Sequence, residues 1–530
     1  MEQYIGIDIG TSSAKLTLID GAGEIRRESS REYEISQPKP GWKEIDPEIW
    51  MNAVEEAMAE LLSGEDPEHI GAIGVTGQMH TAVFLGWDGA PIRPALMWND
   101  TRTMDLVKET KEKISKVPEV SYISNIISTG SPAINLLWLK KNEPEHFQKM
   151  KTFLIGPDYI VFRLTGQCQT DYCEASTSSL FDLKTGTWSS EIRKILGFPE
   201  DIYPKVKGSG ETAGYVAEVW RRKFGFKKQV KVIVGTGDNP AAAISTGCFS
   251  NMYPVLSLGT SGVLMFPKEK IEFGAKGKNI MFSVDGENTV ILVQGVVQSS
   301  GSSFGWWVRQ ILKTDDFSAE TDGVDLSKLG ENNLIFYPHL AGDKTIYGDP
   351  ALRGALIGIG TETARQEITA AVMEGICFGV RQLTEVMHVG RTALQNLKVT
   401  GGGSKNEVWM QILADVLNTR VEQLESGTGA GYGIALMAAA AAGQDVTLEQ
   451  MVGRTVRIKK CFNPRKYNAG LYEIKYQKYK KIYGALSEVL RDVYKRQMYW
   501  WWLLRESARR RIVTTWYGLG LMAREERPGF

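Results

Sequence analysis

The sequence has few cysteines, and their arrangement gives no sign of disulfide pairing or of a metal site. Its 530 residues include five of them, with no zinc-finger spacing: Cys168, Cys173, Cys248, Cys377 and Cys461. No signal peptide precedes the first predicted strand. Both observations favour a reducing compartment, so we expect a cytoplasmic protein.

Net charge and long apolar segments are also missing. Lys and Arg together number 62, and so do Asp and Glu, which argues against nucleic-acid binding through many phosphate contacts. No apolar run reaches the roughly 20 residues that a membrane helix needs, so we expect no membrane partner. With 43% hydrophobic residues in a chain of this length, we expect two or more domains with full-sized cores.

The common nucleotide-binding motifs are absent as well. The chain contains no Gly-x4-Gly-Lys-Ser/Thr loop and no Gly-x-Gly-x-x-Gly opening after a strand. If a nucleotide binds, another kind of glycine loop has to hold it.

The last part of the chain differs in composition from the rest. Residues 492–497, DVYKRQ, match one reading frame of a transposon-end adaptor used in sequencing libraries. The segment 498–530 holds four of the 14 tryptophans and six Arg against three Glu. We therefore interpret 492–530 as a misassembled tail. A basic, aromatic interfacial anchor is the functional alternative.

The beginning of the chain predicts a layered α/β domain. YIGIDI, AKLTLID and EIRRESSREYEI are apolar or alternating runs separated by short turns, which is typical of an antiparallel meander. A helix is predicted next, with Asp46 as its N-cap, Pro47 at its first position and an apolar face that starts at Trp50. Strands followed by a helix that covers their sheet favour an α/β fold.

A glycine–hydroxyl turn between two apolar strands occurs twice. The two turns consist of Gly10, Thr11 and Ser12, and of Gly259, Thr260 and Ser261. Their recurrence predicts an internal two-fold repeat with a cleft between its halves. The backbone N–H groups of such turns can bind anions, and Lys15 follows the first turn, so two facing turns can hold a polyphosphate. Either turn alone can also be a plain hairpin.

Asp8 is a carboxylate in the middle of an apolar strand. A buried carboxylate is costly unless it meets a cation, and Mg²⁺ bridged to the phosphates of ATP is one candidate. An Asp that caps its own turn is the alternative, and the residues leave both interpretations open.

A second candidate acid follows the strand in VKVIVGTGDNPAAAISTG. If Pro240 takes the first helical position, Asn239 is the cap and Asp238 lies just outside the helix. That places Asp238 at the carboxyl end of a strand, where α/β folds bind ligands. An Asp without a capping role can accept a proton from a hydroxyl that attacks phosphorus, so we predict a general base.

A third glycine loop, in LKVTGGGSKNEVWMQILADVLN, again joins a strand to a helix. Gly402 and Gly403 permit close approach of the backbone to a ligand, and Asn406 is placed where it can face a purine or a ribose. A tight strand–helix connection is the alternative.

Two segments offer residues for a small polar ligand. TGQMH ends a strand with Gln78, Met79 and His80, and MWNDTR contains Trp98, an aromatic face of the kind that sugar sites use. The alternatives are a structural histidine and a helix cap at Asn99 or Asp100.

Seven motifs occur in a fixed order between Gln3 and Arg491: GIDIGTSSAK, GQMH, MWNDTR, GTGDN, LSLGTSG, DPALRGALIGI and TGGGSKNEVWMQILAD. In this ordered series the chain resembles the FGGY carbohydrate kinases. The resemblance implies two ribonuclease-H-like domains of the actin and sugar-kinase superfamily, 1–248 and 249–491, that close over ATP and a sugar. It leaves a homodimer open.

The resemblance also implies roles for individual residues. Asp238 would be the catalytic base, Asp8 would be associated with Mg²⁺, and the two glycine–hydroxyl turns would clamp the phosphates. The adenosine would lie at Gly301, Gly402 and Asn406, and the sugar at Met79 and His80. GQMH favours D-xylulose over glycerol, ribulose, fuculose or gluconate as the acceptor.

Two alternatives to this function follow from the same residues. Asn135, Lys344 and Ile346 stand where the family usually has Lys, Arg and Pro, which weakens the choice of sugar in favour of another ketose, a polyol or a sugar acid. An actin-like or chaperone-like ATPase is the alternative from a different class, but it gives GTGDN and GQMH no role.

Overall fold

The computed structural model describes residues 2–249, 254–390, 394–425, 429–443 and 446–489. The interpretation of 492–530 as a misassembled tail therefore lies outside the described residues. We call residues 2–249 the N-terminal half and the described residues of 254–489 the C-terminal half.

Strands and helices alternate along the N-terminal half. Its strands are β1 (Gln3–Ile9), β2 (Ser13–Asp20), β3 (Ile25–Glu32), β4 (Glu44–Ile45), β5 (Ile70–Gly77), β6 (Ala82–Gly86), β7 (Ala95–Leu96), β8 (Met150–Ile155), β9 (Gln169–Asp171), β10 (Phe181–Asp182), β11 (Thr187–Trp188), β12 (Lys205–Lys207), β13 (Thr212–Tyr215), β14 (Lys231–Ile233) and β15 (Thr236–Gly237). Its helices are α1 (Pro47–Leu61), α2 (Met104–Ser115), α3 (Pro132–Asn142), α4 (Pro144–Lys149), α5 (Gly156–Thr165), α6 (Tyr172–Thr177), α7 (Ser190–Leu196), α8 (Glu218–Phe224) and α9 (Asp238–Thr246).

The C-terminal half has longer helices. Its strands are β16 (Val255–Leu258), β17 (Gly262–Lys268), β18 (Lys278–Ser283), β19 (Thr289–Val297), β20 (Ile335–Tyr337), β21 (Ala355–Ile357), β22 (Asn396–Thr400), β23 (Arg420–Leu424) and β24 (Ile458–Phe462). Its helices are α10 (Gly301–Gly305), which continues as a π-helical turn over Trp306–Ile311, α11 (Phe317–Asp322), α12 (Arg365–Val386), α13 (Glu407–Leu417), α14 (Ala430–Ala442), α15 (Leu448–Thr455) and α16 (Lys466–Tyr479). None of the described helices is both long and apolar enough to cross a bilayer.

Each half is built on one large sheet, and the two sheets share a plan. In the N-terminal half, β3, β2 and β1 form an antiparallel meander, β1 pairs in parallel with β5 and β5 with β14, and β13 closes the edge in the antiparallel sense. In the C-terminal half, β19, β17 and β16 form the meander, β16 pairs in parallel with β22 and β22 with β23, and β24 closes the edge. The predicted two-domain α/β fold class is confirmed.

The first helix begins as its sequence predicts. The Asp46 side chain accepts a hydrogen bond from the Glu48 N–H, Pro47 is at the first helical position, and Trp50 is buried. Helix α1 packs on β2 and β3 and covers the meander. Local capping and apolar periodicity therefore place this layer.

Helix α14 of the C-terminal half packs on the sheet of the N-terminal half, and glycines make this approach possible. A Cβ at Gly433 would lie 1.8 Å from the carbonyl oxygen of Ala241, and one at Gly6 would lie 1.9 Å from that of Gly431. Each half has a hydrophobic core of its own, but a third cluster joins α14 to residues such as Tyr4. The two halves are thus packed together through shared apolar surface.

Candidate active site

A cavity of about 670 Å³ opens in the C-terminal half between the second glycine–hydroxyl turn, the start of α10 and the triple-glycine loop. Six of the predicted nucleotide-binding residues line it: Gly259, Thr260, Gly301, Gly402, Gly403 and Asn406. The tertiary structure brings them together from three separate segments. We call this cavity the glycine pocket.

Main-chain hydrogen bonds build the glycine pocket from its turn. The Gly259 N–H donates to the Ser261 carbonyl at 3.0 Å, and the Gly301 N–H donates to the Gly259 carbonyl at 2.9 Å. A Cβ at Gly301 would lie only 2.3 Å from that same carbonyl oxygen. Glycine at 301 therefore lets the first turn of α10 lie directly against the glycine–hydroxyl turn.

Asn406 lines the glycine pocket but its side chain is engaged in the loop. Its Oδ1 accepts a hydrogen bond from the Trp409 N–H at 2.9 Å and caps α13, and its Nδ2 donates to Thr321 Oγ1 at 2.8 Å. Asn406 thus holds the glycine loop against α11. A direct contact of its amide with a purine or ribose stays a prediction.

Sequence reasoning missed part of the pocket wall. Trp306 and Arg309, on the π-helical turn after α10, and Phe317 line the cavity beside the glycines. Trp306 keeps 36% of its surface exposed. Nothing in the sequence pattern of this segment marked these side chains as ligand-facing.

The first glycine–hydroxyl turn lies outside the wall of the glycine pocket. The Gly10 N–H donates to the Ser13 carbonyl at 2.9 Å, which closes the turn, and the Trp98 Nε1–H donates to Thr11 Oγ1 at 3.2 Å. None of the residues that line the pocket comes from 10–12. The indole of Trp98, 44% exposed, thus lies against this turn.

Asp8 occupies β1 directly opposite Lys15 of β2. Burial is the main cause that raises the pKa of Asp8 to about 7, the negative charge of Asp238 adds to it, and Lys15 opposes it. Asp8 and Asp238, 230 positions apart in the chain, therefore lie close enough to repel each other. A cation would relieve that repulsion.

Asp238 lies inside helix α9 rather than before it. The helix begins at Asp238 with Gly237 as its N-cap, so the prediction that Asn239 is the cap is wrong. The Asn239 side chain is used elsewhere: its Nδ2 donates to Met79 Sδ at 3.4 Å, and its Oδ1 accepts from Gln294 Nε2 at 3.3 Å. A helix that starts two residues early is compatible with Pro240, because the first turn of a helix needs no N–H partner at that position.

The Asp238 carboxylate still has the properties of a reactive group. Its Oδ1 is buried and has no hydrogen-bond partner among the described residues. Burial raises the pKa of Asp238 to about 6, against the Asn239 N–H and the positive charge of Lys278, which lower it. Because the helix N-terminus stabilises negative charge, Asp238 is ionised at neutral pH and yet basic enough to accept a proton.

The GQMH segment presents buried polar atoms that have no hydrogen-bond partner among the described residues. Gln78 is 3% exposed, and neither its Oε1 nor its Nε2 has a hydrogen-bond partner in the described part of the chain. The same holds for His80 Nδ1, which is buried. Unpaired buried polar groups cost about 1–3 kcal/mol each, so their persistence indicates a ligand that pairs with them. Met79 supplies a buried thioether between them.

Two further titratable residues near Asp238 were not among the predicted site residues. The Lys278 Nζ lies 2.8 Å from His80 Nε2. Glu174 is 1% exposed, both of its carboxyl oxygens lack partners among the described residues, and a Cβ at Gly237 would lie 3.0 Å from its Oε1. Burial and the nearby acids raise the pKa of Glu174 well above its usual value. Neither residue belongs to a glycine loop, so no local signal marked it.

The MWNDTR segment divides into two roles. Trp98 contacts the first turn, whereas Asp100 and Arg102 form a fully buried ion pair at 2.7 Å. Arg102 also pairs with Glu44 at 2.6 Å. Helix α2 begins only at Met104, so Asp100 does not cap it.

Metal binding by protein side chains alone is not supported by the described residues. They contain no group of three or more His, Cys, Asp or Glu side chains placed to hold an ion. Mg²⁺ in nucleotide sites commonly takes one or two carboxylates together with phosphate oxygens and water. Asp8, a single carboxylate beside the negative charge of Asp238, fits that smaller requirement.

The fold and these sites define a class of protein. It has two α/β halves with the strand plan of the actin-like ATPases and a glycine-rich cavity of a size that suits a nucleotide. It also has a group of acids and amides, unpartnered within the described ranges, of the kind that binds a polar small molecule.

Comparisons with known proteins narrow this class to a family. The N-terminal domain of the FGGY family of carbohydrate kinases matches residues 3–245, and its C-terminal domain matches residues 255–442. The xylulose kinase of Bacillus subtilis (strain 168) is 34% identical over 485 residues, which cover 91% of this chain and 97% of that protein. The chain belongs to the FGGY family of carbohydrate kinases.

Solved structures agree with this assignment. A xyloylose kinase from Brucella ovis is 28% identical, with a TM-score of 0.82 over 92% of this chain and 100% of that one. A gluconate kinase from Lactobacillus acidophilus is 25% identical, with a TM-score of 0.79 over 92% of this chain and 98% of that one.

Proposed function

We propose that this protein transfers the terminal phosphate of ATP to a hydroxyl of D-xylulose, giving ADP and D-xylulose 5-phosphate. Membership of a carbohydrate kinase family supports ATP and a sugar as substrates, and similarity to xylulose kinases supports the choice of sugar. One observation carries the proposal most directly. Within the described part of the chain, Asp238 has a buried carboxylate oxygen without a hydrogen-bond partner, next to a segment whose own polar atoms also lack partners.

Asp238 acts as the general base in this reaction. A sugar oxygen forms its bond to the γ-phosphorus while the bond from that phosphorus to the bridging oxygen of ADP breaks, and the hydroxyl proton passes to Asp238. General base catalysis of this kind contributes about 10²–10⁴-fold, and the rest of the acceleration comes from positioning and charge stabilisation. Helix α9 holds the carboxylate at its N-terminus, where the Lys278 charge also keeps it ionised.

The sugar binds to the GQMH segment. Gln78 and His80 offer buried polar atoms that no described residue pairs with. Met79 offers an apolar surface, and Trp98 borders the first turn. Polar edges around an apolar face are the usual composition of a small-ligand site.

ATP binds in the glycine pocket, with its phosphates towards the two glycine–hydroxyl turns. Gly259, Thr260 and Ser261 clamp one side, Gly10, Thr11 and Ser12 the other, and Lys15 adds positive charge. Asp8 is the residue that would hold Mg²⁺. The ion, when bound with ATP, neutralises part of the phosphate charge.

We further assign residues 1–248 and 249–491 as the two domains, and the cytoplasm as the location of the enzyme. Gly247 supports a boundary close to the end of α9, because its left-handed backbone terminates that helix. A homodimer stays an expectation.

A sugar acid is the second candidate acceptor. The Lys278 ammonium beside His80 offers a positive charge to a carboxylate, and a gluconate kinase is among the similar structures. ADP release measured against ketoses, polyols and aldonates, at equal concentrations, separates the two candidates. Turnover highest with D-xylulose supports the proposal; weak turnover with D-xylulose and strong turnover with an aldonate overturns it. ATP hydrolysis that ignores every acceptor would indicate an ATPase instead.

A further inference from the structure

Lys278 reaches from the C-terminal half into the GQMH segment of the N-terminal half. It is the first residue of β18, which forms the edge of the C-terminal sheet. This strand is fixed against the N-terminal half, because the Met281 N–H donates to Ser176 Oγ at 3.0 Å and the Ser209 N–H donates to the Ser283 carbonyl at 2.7 Å. The position of Lys278 is therefore set by contacts between the halves.

The Lys278 contact determines which nitrogen of His80 carries the proton. Lys278 Nζ lies 2.8 Å from His80 Nε2, and an ammonium group can only donate. Burial and the Lys278 charge hold the pKa of His80 well below its usual value, so the ring is neutral. A neutral ring that accepts at Nε2 carries its proton on Nδ1.

The resulting Nδ1–H group has no partner among the residues that the structure describes. His80 Nδ1 is buried and makes no hydrogen bond to any described residue. The backbone of His80 is also in the left-handed region, with φ of 73°, which few non-glycine residues adopt. Such a conformation, kept at a site of unpaired polar atoms, indicates that the direction of this ring matters for ligand binding.

We propose that Lys278 is a positioning residue for the acceptor: it holds His80 as the Nδ1–H tautomer, so that His80 donates a hydrogen bond to an oxygen of the sugar. The inference rests on the proposed function and deepens it. It also means that the acceptor site of the N-terminal half is complete only when a residue of the C-terminal half is in place.

Direct charge pairing is a weaker explanation of Lys278. Burial lowers the pKa of Lys278 and the negative charges of Glu174 and Asp238 oppose that shift, yet in the described residues neither carboxylate forms an ion pair with Lys278. Its hydrogen bond goes to the imidazole. A lysine whose role was to neutralise an acid would be expected to contact that acid.

Substitution of Lys278 tests this role through the sugar KM. Lys278→Met keeps the length of the side chain and removes the donor, so the KM for the sugar should rise about tenfold while kcat changes by less than about threefold. The assay is run at about pH 8, above the pKa values of about 7 for Asp8 and about 6 for Asp238, so that their ionisation does not contribute. The KM for ATP should stay unchanged, which also reports that the variant is folded.

Two further variants serve as matched controls. Lys276→Met removes the same charge two positions earlier, from an exposed side chain, and should leave both KM values unchanged. Lys278→Arg retains a cationic donor and should keep the sugar KM within about threefold of the wild type. If Lys278→Met is poorly folded, the Arg variant still tests the donor requirement: a tenfold loss in a well-folded Arg variant contradicts it.

Nitrogen-15 NMR of labelled histidines reads the tautomer directly. The chain has five histidines, and the spectrum of His80→Gln identifies the signals of His80 by their loss. The wild type should show the Nδ1–H form, and Lys278→Met should lose it in favour of Nε2–H or a mixture. An unchanged sugar KM, or a raised KM with an unchanged tautomer, overturns the inference. If the wild type phosphorylates no sugar, the proposed function fails, but the spectrum still decides whether Lys278 sets the tautomer.

Discussion

Replacing Asp238 with Asn is the substitution that tests the proposed chemistry most directly. Asn has nearly the same size and can keep the position at the first turn of α9, but its amide cannot accept a proton from a hydroxyl. The change therefore removes the base and leaves the packing around it. Because burial already raises the pKa of Asp238 to about 6, loss of its negative charge should not destabilise the fold.

The expected loss can be stated as a range. Removal of a general base lowers the rate by about 10²–10⁴-fold, which corresponds to about 2.7–5.5 kcal/mol of transition-state stabilisation. The KM for ATP should change by less than about threefold, because the glycine pocket is lined by other residues, from Leu258 to Trp409. A loss confined to kcat would mean that the interaction is made in the transition state.

Release of ADP in the presence of D-xylulose is the measurement, with phosphorylated sugar quantified in parallel. Asp66→Asn is the matched control, since Asp66 caps a short helix at the surface and Asn caps as well. Asp238→Asn with activity within about threefold of the wild type would refute the assignment of the base. So would an equal loss in the Asp66 variant, which would point to a general effect of the substitution.

The pH profile gives an independent reading of the same residue. The base has to be ionised, so kcat/KM should fall about tenfold per pH unit below the pKa of Asp238, about 6. If the reaction also requires ionised Asp8, whose pKa is about 7, Asp8 contributes to this fall of kcat/KM on the acid side of the profile, its acid limb. In Asp238→Asn the part of the limb that is due to Asp238 should vanish. A limb that is identical in both proteins would assign it to another group.

Two glycine contacts lead to the remaining predictions. Gly433→Val places a side chain where a Cβ would lie 1.8 Å from the Ala241 carbonyl oxygen, so it should lower the free energy of unfolding by about 3 kcal/mol or more. Gly470→Ala, in an open part of α16, should raise the free energy of unfolding by about 0.5–1 kcal/mol. Urea titrations measure both changes. A Gly433→Val protein as stable as the wild type would contradict the close packing of α14. Gly301→Val, whose Cβ would meet the Gly259 carbonyl at 2.3 Å, should raise the KM for ATP about tenfold or more and leave the sugar KM within about threefold. Equal increases in both KM values would show that the glycine pocket is not a separate nucleotide site.

Local sequence signals predicted the parts of the site that lie in turns and at helix ends. The two glycine–hydroxyl turns, the triple-glycine loop and the Asp46 cap were predictable because each depends on a few neighbouring residues. The same reasoning failed by two residues at Asn239, where Pro240 suggested the first helical position and the helix instead begins at Asp238. Helix boundaries depend on main-chain geometry that a single proline does not decide.

Long-range placement was the part that local signals did not contain. Lys278 belongs to an ordinary edge strand, and Glu174 to a short helix, so neither has a spacing that points to a ligand. Both residues become candidates for the acceptor site only because β18 and α6 pack against each other between the two halves. Trp306 joined the glycine pocket in the same way, through the π-helical turn after α10.

By itself the sequence determined the α/β class, the repeated strand–turn–strand units and the family, because apolar periodicity, turn glycines and ordered motifs are properties of short segments. Only the tertiary structure decided that Asp8 lies near Asp238, that Lys278 contacts His80, and that three glycine segments enclose one pocket. These neighbours are far apart in the chain. Their contacts follow from the packing of α14 and β18 across the two halves, where close approach of backbones and burial of charge depend on the whole fold.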